Sequence, residues 1–543
     1  MRPRFRRPEP MATFELVPDD ERDDDAHPVP AGAGGDDDVG ARRGVVAVRE
    51  RAAGRWRRLS RRGHVAVAAG TAVVVLAAAT AAVTPGLLDA RDQRVRAEAV
   101  QGMPGVVGDL SEPVTPTWTL PPTSAVAAAL PDGVLVLGDG TSVSAVDAAT
   151  GGTLWEHRFD DGAQCGPTPW SAADWARPSE TVVCVGSDGT TVTVLDPSGE
   201  VVGERQLDAS ADADLEVSMF WPLAMPAAAG AVAMLDGGSS AVSVPWQEGD
   251  DAAHTLRALH DAGWSDPTLR VEDALTGEVR AEVTIRLTAE DVDGCGVAED
   301  GLGGSGIDVQ PWIDALPWAT TLSLCGITRA VTPSGDVIDV GDGSRMLSAT
   351  TDGGYVLQGE TSDLLDEHGA TRTTIDGWAP PLVVDTAPDG PVLAMLGSAG
   401  EGSAALAAVG DDGEPVWTHW LTSVTELARV GDTVVVTGED TITALDAATG
   451  EERWRLEDAI DADPEHGEYV VGVATDGTRL LLALASSVMD AETGETRSGH
   501  RLVALDLRDG STAWERPGEG DLWGLSSVGG HLVATGERVG GLG

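Results

Sequence analysis

One eleven-residue phrase occurs three times in this chain, and no other feature constrains the fold so strongly. Ala145–Trp155 (AVDAATGGTLW), Ala444–Trp454 (ALDAATGEERW) and Ala504–Trp514 (ALDLRDGSTAW) share Ala-x-Asp-x-x-(Thr/Asp)-Gly-x-x-x-Trp. Before each copy, apolar and polar residues alternate between tight turns, as in Gly133–Phe159 and Gly431–Leu456. A period of two interrupted by Asp-Gly turns predicts a β-meander of short strands. Within the phrase, Asp147 or Asp446 accepts hydrogen bonds from turn amides. Gly151 or Gly450 takes the positive φ that the turn requires. The tryptophan four residues later falls on the next strand, where its ring covers an adjoining sheet.

Weaker copies fill the intervals. Gly413 and Trp417 keep the Gly-to-Trp spacing, and the third full copy supplies Asp506, Gly510 and Trp514. Asp273 and Gly277 keep the turn, but Ala281 stands where the ring is expected. Asp196–Gly199, Ser334–Gly335, Glu367–Gly369 and Asp490–Gly494 are further turn remnants. A four-stranded sheet this small exposes both faces unless a neighbour covers each of them. A ring of such sheets covers every face and protects most edges. The expected fold is therefore all-β, a propeller of seven or eight four-stranded antiparallel blades over residues 113–543. Thr115–Leu120 reads as an isolated outer strand that closes the ring against Gly529–Gly536, joining the two ends of the chain in one blade.

The repeated phrase resembles the tryptophan-docking repeat of the quinoprotein dehydrogenase-like, or PQQ-like, propellers. The resemblance implies that Trp155, Trp417, Trp454 and Trp514 wedge between successive blades. It also raises the question of a cofactor. Quinone-dependent members hold calcium with Glu, Asn and a catalytic Asp, and many carry two adjacent bridged cysteines. This chain contains no asparagine, and Cys165, Cys184, Cys295 and Cys325 are never adjacent. Any Asp or Glu could still bind an ion, but the family's cofactor pattern does not carry over, and the chain reads as a non-enzyme with no catalytic, cofactor-binding or metal-binding residue assigned. The absence of lysine excludes a phosphate-loop Gly-Lys-Ser/Thr and a Schiff-base nucleophile. The acidic runs Asp208–Glu216 and Asp461–Glu468 lack the ligand order of an EF-hand and read as solvated loops.

Charge and hydropathy place the domain. Residues 1–100 carry 17 Arg against 15 Asp and Glu, whereas residues 101–543 carry 19 Arg against 73, a net of −54. So acidic a surface repels nucleic acid. Val65–Val83 runs for 19 residues without a charge, close to the roughly 20 that cross a bilayer as a helix. Nine arginines lie between Arg42 and Arg62, before that run. The positive-inside rule then assigns 1–63 to a disordered cytoplasmic tail, 64–86 to one membrane helix, 87–112 to a linker and the propeller to the extracytoplasmic side. A cleaved signal peptide is the alternative reading.

Four cysteines pair in three ways. Cys165 with Cys184 and Cys295 with Cys325 are nearest in sequence and are the expected bridges, each stabilising by about 3 kcal/mol in the chain-entropy account. The functional expectation is a single-pass, membrane-anchored scaffold that binds an envelope or extracellular partner through the insertions Gln247–Pro267 and Ala289–Trp312. An oxidoreductase using a quinone or a metal ion, and a transmembrane sensor, are the competing readings.

Overall fold

A computed structural model describes residues 95–543, apart from 123, 170–171, 176, 208–223, 237–241, 246–250, 300–304, 342, 398–403, 462–466, 490–495 and 519–521. The expected tail and membrane segment, the acidic run 208–216 and the turn remnant at 490–494 lie outside the described residues. Among the described residues, no helix is long and apolar enough to cross a membrane.

The chain folds into successive antiparallel sheets, numbered here in chain order. Sheet 1 comprises Ala125–Leu130, Val134–Gly138, Ser142–Asp147 and Thr153–Arg158. Sheet 2 runs from Ala163–Gly166 to Val201–Gln206, sheet 3 from Ala224–Ala227 to Val279–Thr284, sheet 4 from Trp312–Leu316 to Val337–Gly341, and sheet 5 from Met346–Ala349 to Thr371–Ile375. Sheet 6 has three strands, Val392–Leu396, Ala404–Val409 and Pro415–Leu421, and Trp378 bridges to Met395 where a first strand would lie. Sheet 7 runs from Glu426–Val430 to Glu452–Leu456 and takes Val384–Asp385 as an added parallel strand. Sheet 8 comprises Glu468–Thr475, Arg479–Met489, Thr496–Asp506 and Thr512–Pro517.

The ninth sheet uses both ends of the described chain. Leu522–Val528, His531–Gly536 and Gly540–Leu542 pair in order, and Pro116–Thr119 adds as the outer strand. The expected closure therefore occurs, but the N-terminal strand pairs with Gly540–Leu542, one strand further out than Gly529–Gly536. A single parallel pair, Gly472 with Leu525, joins sheets 8 and 9.

Strand alternation explains why the sheets must stack. Every residue of Thr433–Thr437 is buried, yet Val434 and Val436 enter one core while Val435 enters the next. Leu481 and Ala483 likewise pack on the side opposite Leu480, Leu482 and Leu484. A strand with two apolar faces needs a neighbour on each, which sheets around an axis provide. The first strands of sheets 1 to 4, and of sheets 7 to 9, contact one another in sequence and so lie on the inner side of the stack.

Two departures bear on function. Residues 95–112, assigned to a linker from sequence, pack on the ring: Val106 bridges to Thr475, and Leu110 is buried with Val107 and Val114 against Trp514. The two insertions also build structure of their own. Val242–Pro245, Gly296–Glu299 and Ser305–Val309 form a three-stranded sheet, and Ala252–Asp261 forms a helix whose Asp251 cap accepts from Ala253 N at 3.2 Å. Leu259, Trp264, Val292, Ile307 and Val309 share a core with Leu269 and Leu322 of sheets 3 and 4. The insertions are thus a folded appendage, and deleting 289–312 would strip that core.

Candidate functional site

The motif residues form a chain of locks between sheets. Trp155 Nε1 donates to Pro197 O, Trp417 Nε1 to Ala447 O and Trp454 Nε1 to Leu507 O, each at 2.9 Å. Every acceptor directly follows the turn aspartate of the next sheet: Asp196, Asp446 or Asp506. Each ring also lies against the turn glycine of that sheet. A Cβ placed on Gly199, Gly450 or Gly510 would fall 2.5–2.7 Å from the indole of Trp155, Trp417 or Trp454. All three glycines have positive φ, between 69° and 82°. The glycine is required twice, by backbone conformation and by ring contact.

The aspartates hold the receiving turns. Asp147 Oδ1 accepts from Thr150 N at 2.9 Å, and Asp446 Oδ1 accepts from Ala448 N and Thr449 N at 3.0 Å. Arg453 bonds the other oxygen of Asp446 at 2.6 Å, and this bond, before the turn amides, keeps the carboxyl below its usual range. Trp514 departs from the scheme. Its indole donates to Leu110 O at 2.7 Å, because both chain ends meet where the receiving turn of sheet 9 would be.

Two donors were not singled out from sequence. Trp118 Nε1 donates to Ala148 O at 2.9 Å, and its ring covers Gly151. Arg205 Nε donates to Ala274 O at 3.0 Å, and Arg205 also bonds Glu272 at 2.6 Å, so a guanidinium fills the indole position between sheets 2 and 3. Trp118 was readable from its type and its place on the closing strand. Arg205 lies six residues after Gly199 and carried no motif signal. Elsewhere a hydroxyl makes the contact: Thr373 Oγ1 donates to Asp411 O at 2.7 Å.

The cysteines pair as Cys165–Cys184 and Cys295–Cys325. Cys165 and Cys184 face each other in register on the first two strands of sheet 2. The second bridge ties the inserted segment to the turn between Ala319–Leu324 and Ile327–Val331 of sheet 4.

Residues between the first two strands of sheet 2 cross one end of the ring. Trp175 packs with Leu135 and Val528 of sheets 1 and 9. One residue earlier, Asp174 accepts from Trp318 Nε1 of sheet 4 at 2.7 Å. Arg177 donates to Thr350 O of sheet 5 at 3.0 Å and stands 5.8 Å from the Tyr355 ring. Burial pushes the Tyr355 hydroxyl pKa up, against the opposing charge of Arg177. A small cavity at this end is lined by Thr350, Pro381, Leu382, Asp385 and Arg429. Its charged groups are paired: Arg429 grips Asp385 through two bonds of 2.8 and 2.6 Å, with both side chains buried, and Asp352, also in the lining, bonds Arg372 at 3.0 Å. Among the described residues, no group of three or more His, Cys, Asp or Glu is arranged to hold a metal ion.

Small stacked sheets, ring-to-glycine locks and a closing sheet built from both ends of the described residues are the features of a β-propeller, and its locks are similar to those of PQQ-like repeats. Residues 400–539 match the family model described as outer membrane protein assembly factor BamB. Among solved structures, BamB from Moraxella catarrhalis is similar at 14% identity, over 79% of this chain and 99% of that one, with a TM-score of 0.34. A quinohemoprotein alcohol dehydrogenase from Pseudomonas putida is similar at 11% identity, over 78% of this chain and 71% of that one, with a TM-score of 0.31. No curated protein matches the sequence.

Proposed function

We propose that this chain is a non-enzymatic, membrane-anchored scaffold whose propeller stands on the extracytoplasmic side and holds a macromolecular partner at the cell envelope. One observation carries the reading: the motif acids and rings are engaged in locking sheet to sheet, while the folded appendage on sheets 3 and 4 is held to the ring by its own core and a disulfide. Such a rigid platform with an added module suits recognition better than turnover. The match of residues 400–539 to an assembly-factor family supports the same direction. The uncharged run Val65–Val83, the arginines before it and the two disulfides support an anchor with the propeller in an oxidising compartment. Our reading of the ring is nine blades in place of seven or eight, supported by the contacts that link each sheet to the next and sheet 9 back to sheet 1 through Trp118.

Cross-linking on intact cells, followed by capture of the full chain, tests the function. The expected result is reproducible recovery of one or a few envelope proteins, reduced when the Cys295–Cys325 bridge is removed. Recovery of background proteins alone sinks the scaffold reading. A quinone absorption band that appears on adding quinone and calcium to the purified chain favours the oxidoreductase instead.

A further inference from the structure

The end of the ring opposite the Trp175 crossing carries a collar of exposed aromatic side chains. Successive sheets run the same way around the axis, so the starts of their first strands lie on one rim, as the parallel pair Gly472 with Leu525 shows directly. At those starts stand Trp378 of sheet 6, Tyr469 of sheet 8 and Trp523 of sheet 9, with exposures of 40%, 56% and 69%. Trp312 and Met346, the first residues of sheets 4 and 5, are also exposed. Several large apolar side chains exposed on one rim mark a contact site more often than chance scatter does.

The same rim is acidic. Its turns and connections carry Glu360, Asp376, Glu439, Glu457 and Asp458, all exposed. A groove whose lining includes Glu360, Asp376 and Trp378 brings indole and carboxylates together on this rim. Nearby arginines are already engaged: Arg345 with Asp363 at 2.6 Å, Arg455 with Glu452 at 3.0 Å and Arg501 with Glu468 at 2.7 Å. Aromatic faces attract cations, and guanidinium stacks on them more readily than ammonium. Carboxylates around the rim add long-range attraction for positive charge and repel anions.

We infer that this collar is a docking surface for an extended, arginine-rich segment of a partner protein, with guanidinium groups stacked on Trp378, Tyr469 and Trp523. The inference rests on the scaffold reading and names the chemistry of its partner. A merely acidic surface would also attract polycations, so dependence on the aromatic rings is the decisive readout.

The test is fluorescence anisotropy of a labelled deca-arginine peptide with the full chain in neutral detergent micelles at near-physiological salt. Combined Tyr469→Ala and Trp523→Ala should weaken binding about tenfold or more, while Tyr469→Phe with Trp523→Phe keeps it within about threefold. Deca-lysine should bind more weakly than deca-arginine, and deca-glutamate not at all. Deca-arginine affinity unchanged by the alanine variant, or lost equally in the phenylalanine variant, overturns the collar. So does chitohexaose binding that depends on the same rings without arginine binding, or self-association of the chain through them. Envelope cross-links that persist alongside any of these results leave the scaffold reading standing and remove only the collar.

Discussion

Gly510 lies flat beneath the indole of Trp454, where a Cβ would sit 2.7 Å from Cε3 of the ring, while Trp454 Nε1 bonds Leu507 O at 2.9 Å. This contact joins sheets 7 and 8, and equivalent contacts recur at Gly151, Gly199 and Gly450. Two costs therefore fall on Gly510→Ala. The backbone at φ 73° disfavours a Cβ, and the ring must move aside. We expect a loss of about 2–4 kcal/mol in urea unfolding. Gly140→Ala shares the positive φ, 87°, but meets nothing within 4 Å, so its loss should stay near 1–2 kcal/mol. Equal losses at the two sites would show that the ring contact contributes nothing.

The buried pair Arg429–Asp385 gives the second prediction. Both side chains are almost fully inside, and Thr351 Oγ1 donates to Asp385 at 3.0 Å. Arg429→Met leaves a carboxylate without its cation in a low-dielectric site and should cost about 3–5 kcal/mol. Adding Asp385→Leu removes the stranded charge and should recover much of that loss. A single substitution that costs under about 1 kcal/mol, or a double variant no better than the single, refutes the account.

These two cases show what the sequence could and could not disclose. The indole locks were legible because Asp, Gly and Trp recur at fixed spacing and each residue type has a distinct task in the turn. Arg205 was not, since a guanidinium filling an indole site leaves no periodic trace. Arg429 and Asp385 are 44 residues apart, and only the displaced segment before sheet 6 brings them together. The appendage was visible as an interruption of the repeat. Its burial was not, because Val292, Ile307 and Val309 are scattered among glycines and acids. The closing strand was placed correctly at the sheet edge, but its partner was shifted by one strand because Gly540–Leu542 is too short to announce itself.

The Cys295–Cys325 bridge supplies a third prediction. It spans 30 residues and fastens the inserted segment to sheet 4. Replacing both cysteines with serine should lower stability by about 3 kcal/mol in the chain-entropy account. The effect should be local as well as global. Amide exchange should rise first in Val242–Pro245 and Ser305–Val309, while Thr433–Thr437, far round the ring, keeps its protection. Uniform exchange across both regions would mean that the appendage does not open separately.

Acid should test the turns. Asp273 is opposed by burial, yet Thr276 N and Arg280 hold its carboxyl at about 2. Amides of Thr141 and Ser142 bring Asp139 to about 2 as well. A depressed carboxyl contributes stability that is complete above its unfolded value of 3.8 and disappears as pH falls through about 2. Asp273→Asn should therefore cost stability at pH 6 and cost little at pH 1.5. A deficit unchanged between those two conditions would assign the loss to packing instead of charge.

Glu426 carries the opposite sign. It opens the strand Glu426–Val430 of sheet 7, and burial pushes its carboxyl pKa up from 4.5. Below pH 4.5 the group is protonated in folded and unfolded chains alike and contributes nothing. As pH rises, the unfolded chain ionises first, so the folded state is penalised, most fully once pH exceeds the raised folded value. Glutamine keeps the shape of the protonated acid without its charge. Glu426→Gln should thus match the parent at pH 3 and exceed it in stability at pH 7, measured by urea unfolding at both pH values. If the variant gains equally at pH 3, ionisation is not the source of the gain, and a parent more stable than the variant at pH 7 means that the carboxylate has a cationic partner in solution.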